Sequence, residues 1–174
     1  MSLVLAVSLS AAAQDAPKAE VFGGYSYLRG NPGLGAPGIN LNGGSGSISY
    51  NLSSAVGIVA DVGGYHFSNG YGSGIGGNVI SYLFGPKFVY RSSGKVEPFA
   101  QALFGGARLS VAGFSNNAFA MALGGGVDVK ATEHVAIRLI QAEYVMTRFN
   151  IVGVATDQNN ARISAGIVFR FGGK

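Results

Sequence analysis

The sequence contains no cysteine and only two histidines, His66 and His134. The first absence excludes a disulfide scaffold and any cysteine-ligated zinc or iron–sulfur centre. The second leaves little material for a histidine-based metal site, so neither metal nor cofactor is expected. Charge is scarce too: 11% of the 174 residues are Asp, Glu, Lys or Arg, against about a quarter in an ordinary soluble domain. That deficit argues against a cytosolic globule. A hydrophobic content of 48% argues equally against disorder, which needs low hydrophobicity and high net charge. The formal net charge of +4 comes from Lys and Arg scattered singly along the chain, so no nucleic-acid footprint is expected. Long apolar runs are also missing. No stretch approaches the roughly 20 residues that a membrane helix takes.

The one short apolar run, Leu3 to Leu9, opens the chain, and Ser10-Ala11-Ala12-Ala13 and Gln14-Asp15 follow it. This order reads as the hydrophobic region and small-residue cleavage site of a signal peptide over residues 1–13, although no Lys or Arg precedes the run. Residues 14–18 then form a periplasmic lead-in, 19–171 a single domain, and 172–174 a tail.

What the chain has in quantity is alternation, together with 29 glycines. In Ile80 to Arg91 one parity is Ile80, Tyr82, Phe84, Pro86, Phe88 and Tyr90; the other is Ser81, Leu83, Gly85, Lys87, Val89 and Arg91. Phe119 to Val129 and Ala161 to Phe171 repeat the pattern. Period two means strand, and helical spacing is nowhere sustained. Eight segments follow, at about 19–29, 43–52, 55–67, 78–91, 96–109, 118–130, 135–149 and 159–171. Globular strands average about five or six residues, whereas a strand crossing a bilayer needs about 9–11. The expected fold is therefore all-β, an eight-stranded antiparallel up-and-down transmembrane barrel.

The connections support this. Ser53-Ser54, Ser92 to Lys95 and Ala131 to His134 read as tight turns. Gly30 to Asn42, Ser68 to Gly77, Ser110 to Asn117 and Asn150 to Gln158 read as longer loops. Short turns at one end and long loops at the other is the outer-membrane pattern. With an even strand count both termini lie at the periplasmic end. The uniformly apolar parity should face lipid, and the parity with charges, Gly and Ala should face the lumen. Tyr25, Tyr27, Tyr50, Tyr90 and Tyr144 suit the interfacial aromatic girdle. The cluster Gly124-Gly125-Gly126 reads as a site of close packing or curvature.

The inward parity then holds the acids Glu20, Asp61, Glu97, Asp128 and Glu143 and the bases Lys87, Arg91, Arg138, Arg162 and Arg170. A buried charge without a partner is expensive, so these should pair. Hairpin partners share a constant sum of residue numbers. On that rule Arg91 pairs with Glu97, Asp128 with Arg138, Asp61 with Lys87 and Glu143 with Arg162. Glu20 meets Arg170 where the first strand closes on the last. The resulting network would plug the lumen. Arg138 and Gln141 have opposite parity, so a β-bulge near Leu139-Ile140 is expected to bring both inward.

The order of Val21-Phe22-Gly23-Gly24-Tyr25-Ser26-Tyr27, Leu83-Phe84-Gly85-Pro86-Lys87, Pro98-Phe99-Ala100-Gln101 and Arg162 to Phe171 resembles the small bacterial outer-membrane β-barrel family. That group includes the OmpA transmembrane domain and OmpX-like barrels. The resemblance covers nearly the whole mature chain. It implies residence in the outer membrane of a Gram-negative-type bacterium after export through the periplasm. It also implies that Phe169 and Phe171 belong to a C-terminal signal read by the barrel assembly machinery, although Gly172-Gly173-Lys174 follows the final aromatic.

Three function classes stand at this point. The first is a structural or surface-interaction barrel without turnover, a monomer whose contacts are outer-membrane lipid and any extracellular partner meeting loops 30–42 and 68–77. The second is a small-solute pore or transporter. The third is a soluble lipocalin-like binder, which would need an apolar interior and a polar exterior. An enzyme is not expected. His66-Phe67-Ser68-Asn69-Gly70 looks like an element of outer-membrane lipid A deacylases, but a serine–histidine pair needs a third group to orient the base. The first acid after Ser68 is Glu97, at the far end of the barrel.

Overall fold

The computed structural model describes residues 16–31, 38–68, 74–92, 94–151 and 154–172. The residues assigned to the signal peptide lie outside this range, as do 32–37 and 69–73 of the two loops expected to meet partners. Eight strands run in chain order: β1 (Ala19–Gly30), β2 (Ile39–Asn51), β3 (Val56–Phe67), β4 (Gly77–Val89), β5 (Val96–Val111), β6 (Phe114–Lys130), β7 (Val135–Ile151) and β8 (Val154–Phe171). Each pairs antiparallel with the next, and β1 pairs with β8 to close the barrel. Closure leaves no unpaired edge, the condition that a lipid-exposed sheet must meet.

The alternation read from the sequence becomes the two faces of the wall. In β3, Ile58, Ala60, Val62, Gly64 and His66 are exposed, while Gly57, Val59, Asp61, Gly63, Tyr65 and Phe67 are buried. Around the barrel the outer face carries Ile48, Ile80, Phe84, Phe88, Phe104, Phe119, Leu123, Ile163 and Phe169. Tyr25, Tyr50, Tyr90 and Tyr144 stand exposed on it, and Tyr27 is half-buried. Tyr25 Oη donates to Asn42 at 2.5 Å, and Tyr27 Oη donates to Asn40 at 2.7 Å.

One end of the barrel carries the turns at 52–55 and 131–134, residues 90–92 and 94–95 between β4 and β5, the start of β1 and the end of β8. The lead-in is tied there: the Lys18 amide donates to Phe171, and the Asn51 amide donates to Lys18. The opposite end differs from expectation. The segments Ser110 to Asn117 and Asn150 to Gln158 are not long loops. Strands β5 and β6 run on until Val111 pairs with Phe114, and Ala112-Gly113 turns the chain with φ of 49° and 84°. Two successive positive φ values define the tight hairpin turn whose twist matches the flanking strands. Likewise Ile151 pairs with Val154. The polar Ser and Asn content of these segments signalled loops, but strands projecting beyond an apolar band are free to be polar. Only the β1–β2 and β3–β4 connections remain long.

Strand β7 contains the expected bulge. Asp128 sits opposite Arg138 and Val127 opposite Ile140, so Leu139 is the extra residue. Leu139 and Ile140 both face outward, and Arg138 and Gln141 both face the lumen. The triple glycine beside it is needed sterically. A Cβ on Gly125 would lie 2.1 Å from the Phe99 carbonyl oxygen, and one on Gly126 would lie 2.3 Å from that of Ile140.

Candidate functional site: the charged lumen

Strand parity delivers all ten charged residues read as inward to the lumen. Glu20, Asp61, Lys87, Glu97, Asp128, Arg138, Glu143, Arg162 and Arg170 are each at most 4% exposed. Arg91, just past β4, has a side chain 9% exposed. The charges form two connected groups.

The group at the turn end is built around two carboxylates. Glu20 accepts from Lys87 Nζ at 3.1 Å and from Arg91 Nη2 at 3.4 Å, and its Oε1 lies 3.3 Å from Arg170 Nε. Glu97 accepts from Arg170 Nη2 and lies 3.8 Å from Arg91 and 3.0 Å from Lys130. Lys130 was absent from the sequence reading. It closes β6 on the same inward parity as Asp128, with a side chain 38% exposed at the end of the barrel, from where it reaches Glu97.

The second group crosses the middle of the lumen as one hydrogen-bonded chain. Arg138 donates to both oxygens of Asp128 at 2.8 and 3.0 Å and to Gln141 Oε1 at 2.6 Å. Gln141 Nε2 donates to Glu143 Oε2 at 2.8 Å, and Gln101 Nε2 donates to Glu143 Oε1 at 2.9 Å. Arg162 donates from Nε to Glu143 at 2.6 Å and from Nη1 to Asp61 at 2.7 Å. One ring, Phe99, joins the groups, and Phe22 packs on Arg138 beside it. The Arg138 guanidinium lies 4.3 Å from the centroids of both Phe22 and Phe99, and Lys87 Nζ lies 4.8 Å from that of Phe99. Cations over aromatic faces are attracted by the ring quadrupole, most strongly where water is excluded.

Four of the five pairs read from register are present. The fifth, Asp61 with Lys87, is not. Asp61 lies opposite Leu83 and Lys87 opposite Gly57, so the two are four residues out of register along the hairpin. Each finds its counter-charge across the lumen instead, Asp61 on β8 and Lys87 on β1. A barrel this narrow has its interior filled by side chains, so partners need not be on adjacent strands. Gln101, Phe22, Phe99 and Tyr65 also escaped the sequence reading. They carry no charge to mark them, although their inward parity was readable.

The lumen is not polar throughout. Toward the loop end the inward parity becomes Leu28, Leu41, Tyr65, Phe67, Leu83, Leu103 and Ala107, with Val79 and Leu109 packed against them. All of these but Leu103 line a cavity of about 320 Å³ that ends on Ser81 and Arg162. The inward parity is recognised by its charges, Gly and Ala; beyond the charge layers the inner wall is apolar.

His66 of the deacylase-like element points outward, with Nδ1 2.9 Å from Asn78 Oδ1; Asn69 and Gly70 lie outside the described residues. Among the described residues no cluster of His, Asp and Glu could hold a metal. Phe169 and Phe171 face outward at the end of β8, opposite Val21 and Ala19.

No protein-family model matches the chain, and no curated protein matches it in sequence. Solved structures do match in fold. Neisserial surface protein A superposes with a TM-score of 0.72 at 16% identity, covering 88% of this chain and 97% of that one. OprG from Pseudomonas aeruginosa gives 0.59 at 10%, covering 91% and 98%. The attachment invasion locus protein Ail of Yersinia pestis gives 0.56 at 18%, covering 88% and 99%. Closed topology, strand count, an apolar outer wall and these likenesses agree that the chain has the fold of the small eight-stranded outer-membrane β-barrels.

Proposed function

We propose that this chain is an outer-membrane barrel sealed by its own side chains, with a structural or surface-interaction role and no turnover. The observation that carries the reading is the pairing of an apolar outer wall with a lumen crossed by linked charges. A soluble ligand-binding barrel would show the inverse. A conducting channel would need a continuous water path, whereas here Arg138, Gln141, Glu143 and Arg162 bond to one another across the middle. The turn end faces the periplasm in this reading, and the Ala112-Gly113 hairpin and the two long loops face outward. The charge layers are the plug, Phe169 and Phe171 engage the assembly machinery, and the barrel is a monomer held in lipid.

The absence of cysteine makes the placement directly testable. A single cysteine replacing Gly113 should react with a membrane-impermeant maleimide in intact cells. One replacing Gly94, in the opposite turn, should react only after the outer membrane is permeabilised. Equal labelling of both in intact cells would overturn the placement.

A further inference from the structure

The cavity above the charge layers has walls and floor of different chemistry. Leu28, Leu41, Phe67, Val79, Leu83 and Leu109 make an apolar wall from β1 to β5. Thr147 and Asn160 on the opposite side are hydrogen-bonded to each other at 3.2 Å. The floor is Ser81, Tyr65 and Arg162. Its volume, about 320 Å³, falls at the small end of the range of about 300–1,000 Å³ typical of small-molecule sites. Such sites are mostly apolar with a few placed polar groups.

Two of those polar groups are unpartnered. Arg162 Nη2 and Ser81 Oγ are buried and make no hydrogen bond, although Arg162 is only 2% exposed. Buried polar atoms are seldom left this way. The guanidinium is donor-only, so what Nη2 lacks is an acceptor. The floor also carries a charge preference. Arg162 is already bound by two carboxylates, Asp61 and Glu143, so the trio holds one excess negative charge. A third anion would be repelled, and an ammonium offers Nη2 no lone pair. An uncharged oxygen meets both conditions.

We propose that this cavity binds a neutral single-chain amphiphile. Its hydrocarbon chain would lie along the Leu28–Leu109 wall, and its hydroxyl or carbonyl oxygen would reach Arg162 and Ser81. The site is a dead end, because the charge layers below it are closed. Binding there is a function separate from sealing the lumen.

The test uses the refolded chain in phospholipid nanodiscs with labelled Leu and Val methyls, titrated with octanol, octanoate and octylamine. Octanol should give saturable shifts at Leu28, Leu41, Leu83 and Leu109. Leu123, exposed on the outer face, should show only the non-saturating drift of a probe dissolving in lipid. Octanoate and octylamine should bind at least tenfold more weakly. Val79→Phe should abolish saturation while the barrel keeps its heat-modifiable migration. Ser81→Ala, which removes no existing hydrogen bond, should weaken octanol by about threefold to tenfold, the worth of one hydrogen bond. Absence of saturable shifts with any probe, an ordered water being the floor's only partner, would overturn the site. Equal affinity for all three probes would overturn the neutral-oxygen assignment.

Discussion

Arg138 shows how much a single side chain holds in this lumen. It neutralises Asp128, orients Gln141 and lies against two phenyl rings. Removing one partner of a buried pair leaves an uncompensated charge and costs about 3–5 kcal/mol. Arg138→Ala should therefore lower unfolding stability in urea by that order. Lys87→Ala should cost less, because Glu20 retains Arg91 and Arg170, but clearly more than Lys95→Ala in a solvent-exposed turn. Equal melting temperatures for the Lys87 and Lys95 variants would contradict a buried role for Lys87. These residues were legible to different degrees. Asp128 with Arg138 and Arg91 with Glu97 flank short turns, where register follows from the number of intervening residues. Asp61 and Lys87 flank a long loop rich in Gly and Ser, which sets no register. Their true partners come from strands distant in sequence, information that no local pattern carries.

Strands and turns were legible wherever one face meets lipid, because apolar character then recurs at every second residue. The bulge in β7 was legible for the same reason: two lumen residues of opposite parity demand one extra residue between them. Deleting Leu139 should force Arg138 or Gln141 onto the lipid face. The variant should lose heat-modifiable migration, whereas a deletion in the long β3–β4 loop should not. The outer ends of β5 to β8 were not legible, since a strand standing clear of the apolar band has no solvent-imposed alternation. The β5–β6 hairpin offers a complementary prediction. Ala112 holds φ of 49°, a left-handed conformation that costs a residue with a Cβ roughly 1–2 kcal/mol. Ala112→Gly should raise the urea midpoint, and Ala112→Val should lower it.

At the scale of the whole molecule, the scarcity of charge and the long strands already implied an apolar exterior and a guarded interior. The partition of that interior into charge layers and an apolar cup was not foreseen, because Leu and Phe on the inward parity look like noise in an alternating pattern. The molecule is consequently asymmetric along its axis, ion-paired toward the turn end and apolar toward the loop end. The central claim is that the linked charge layers close the lumen. Conductance of the refolded mature chain in planar bilayers tests it most directly. The account predicts electrical silence from protein whose heat-modifiable migration shows that it is folded. Discrete, reproducible openings from the same preparation would contradict it and make the Glu143–Arg162–Asp61 layer a gate.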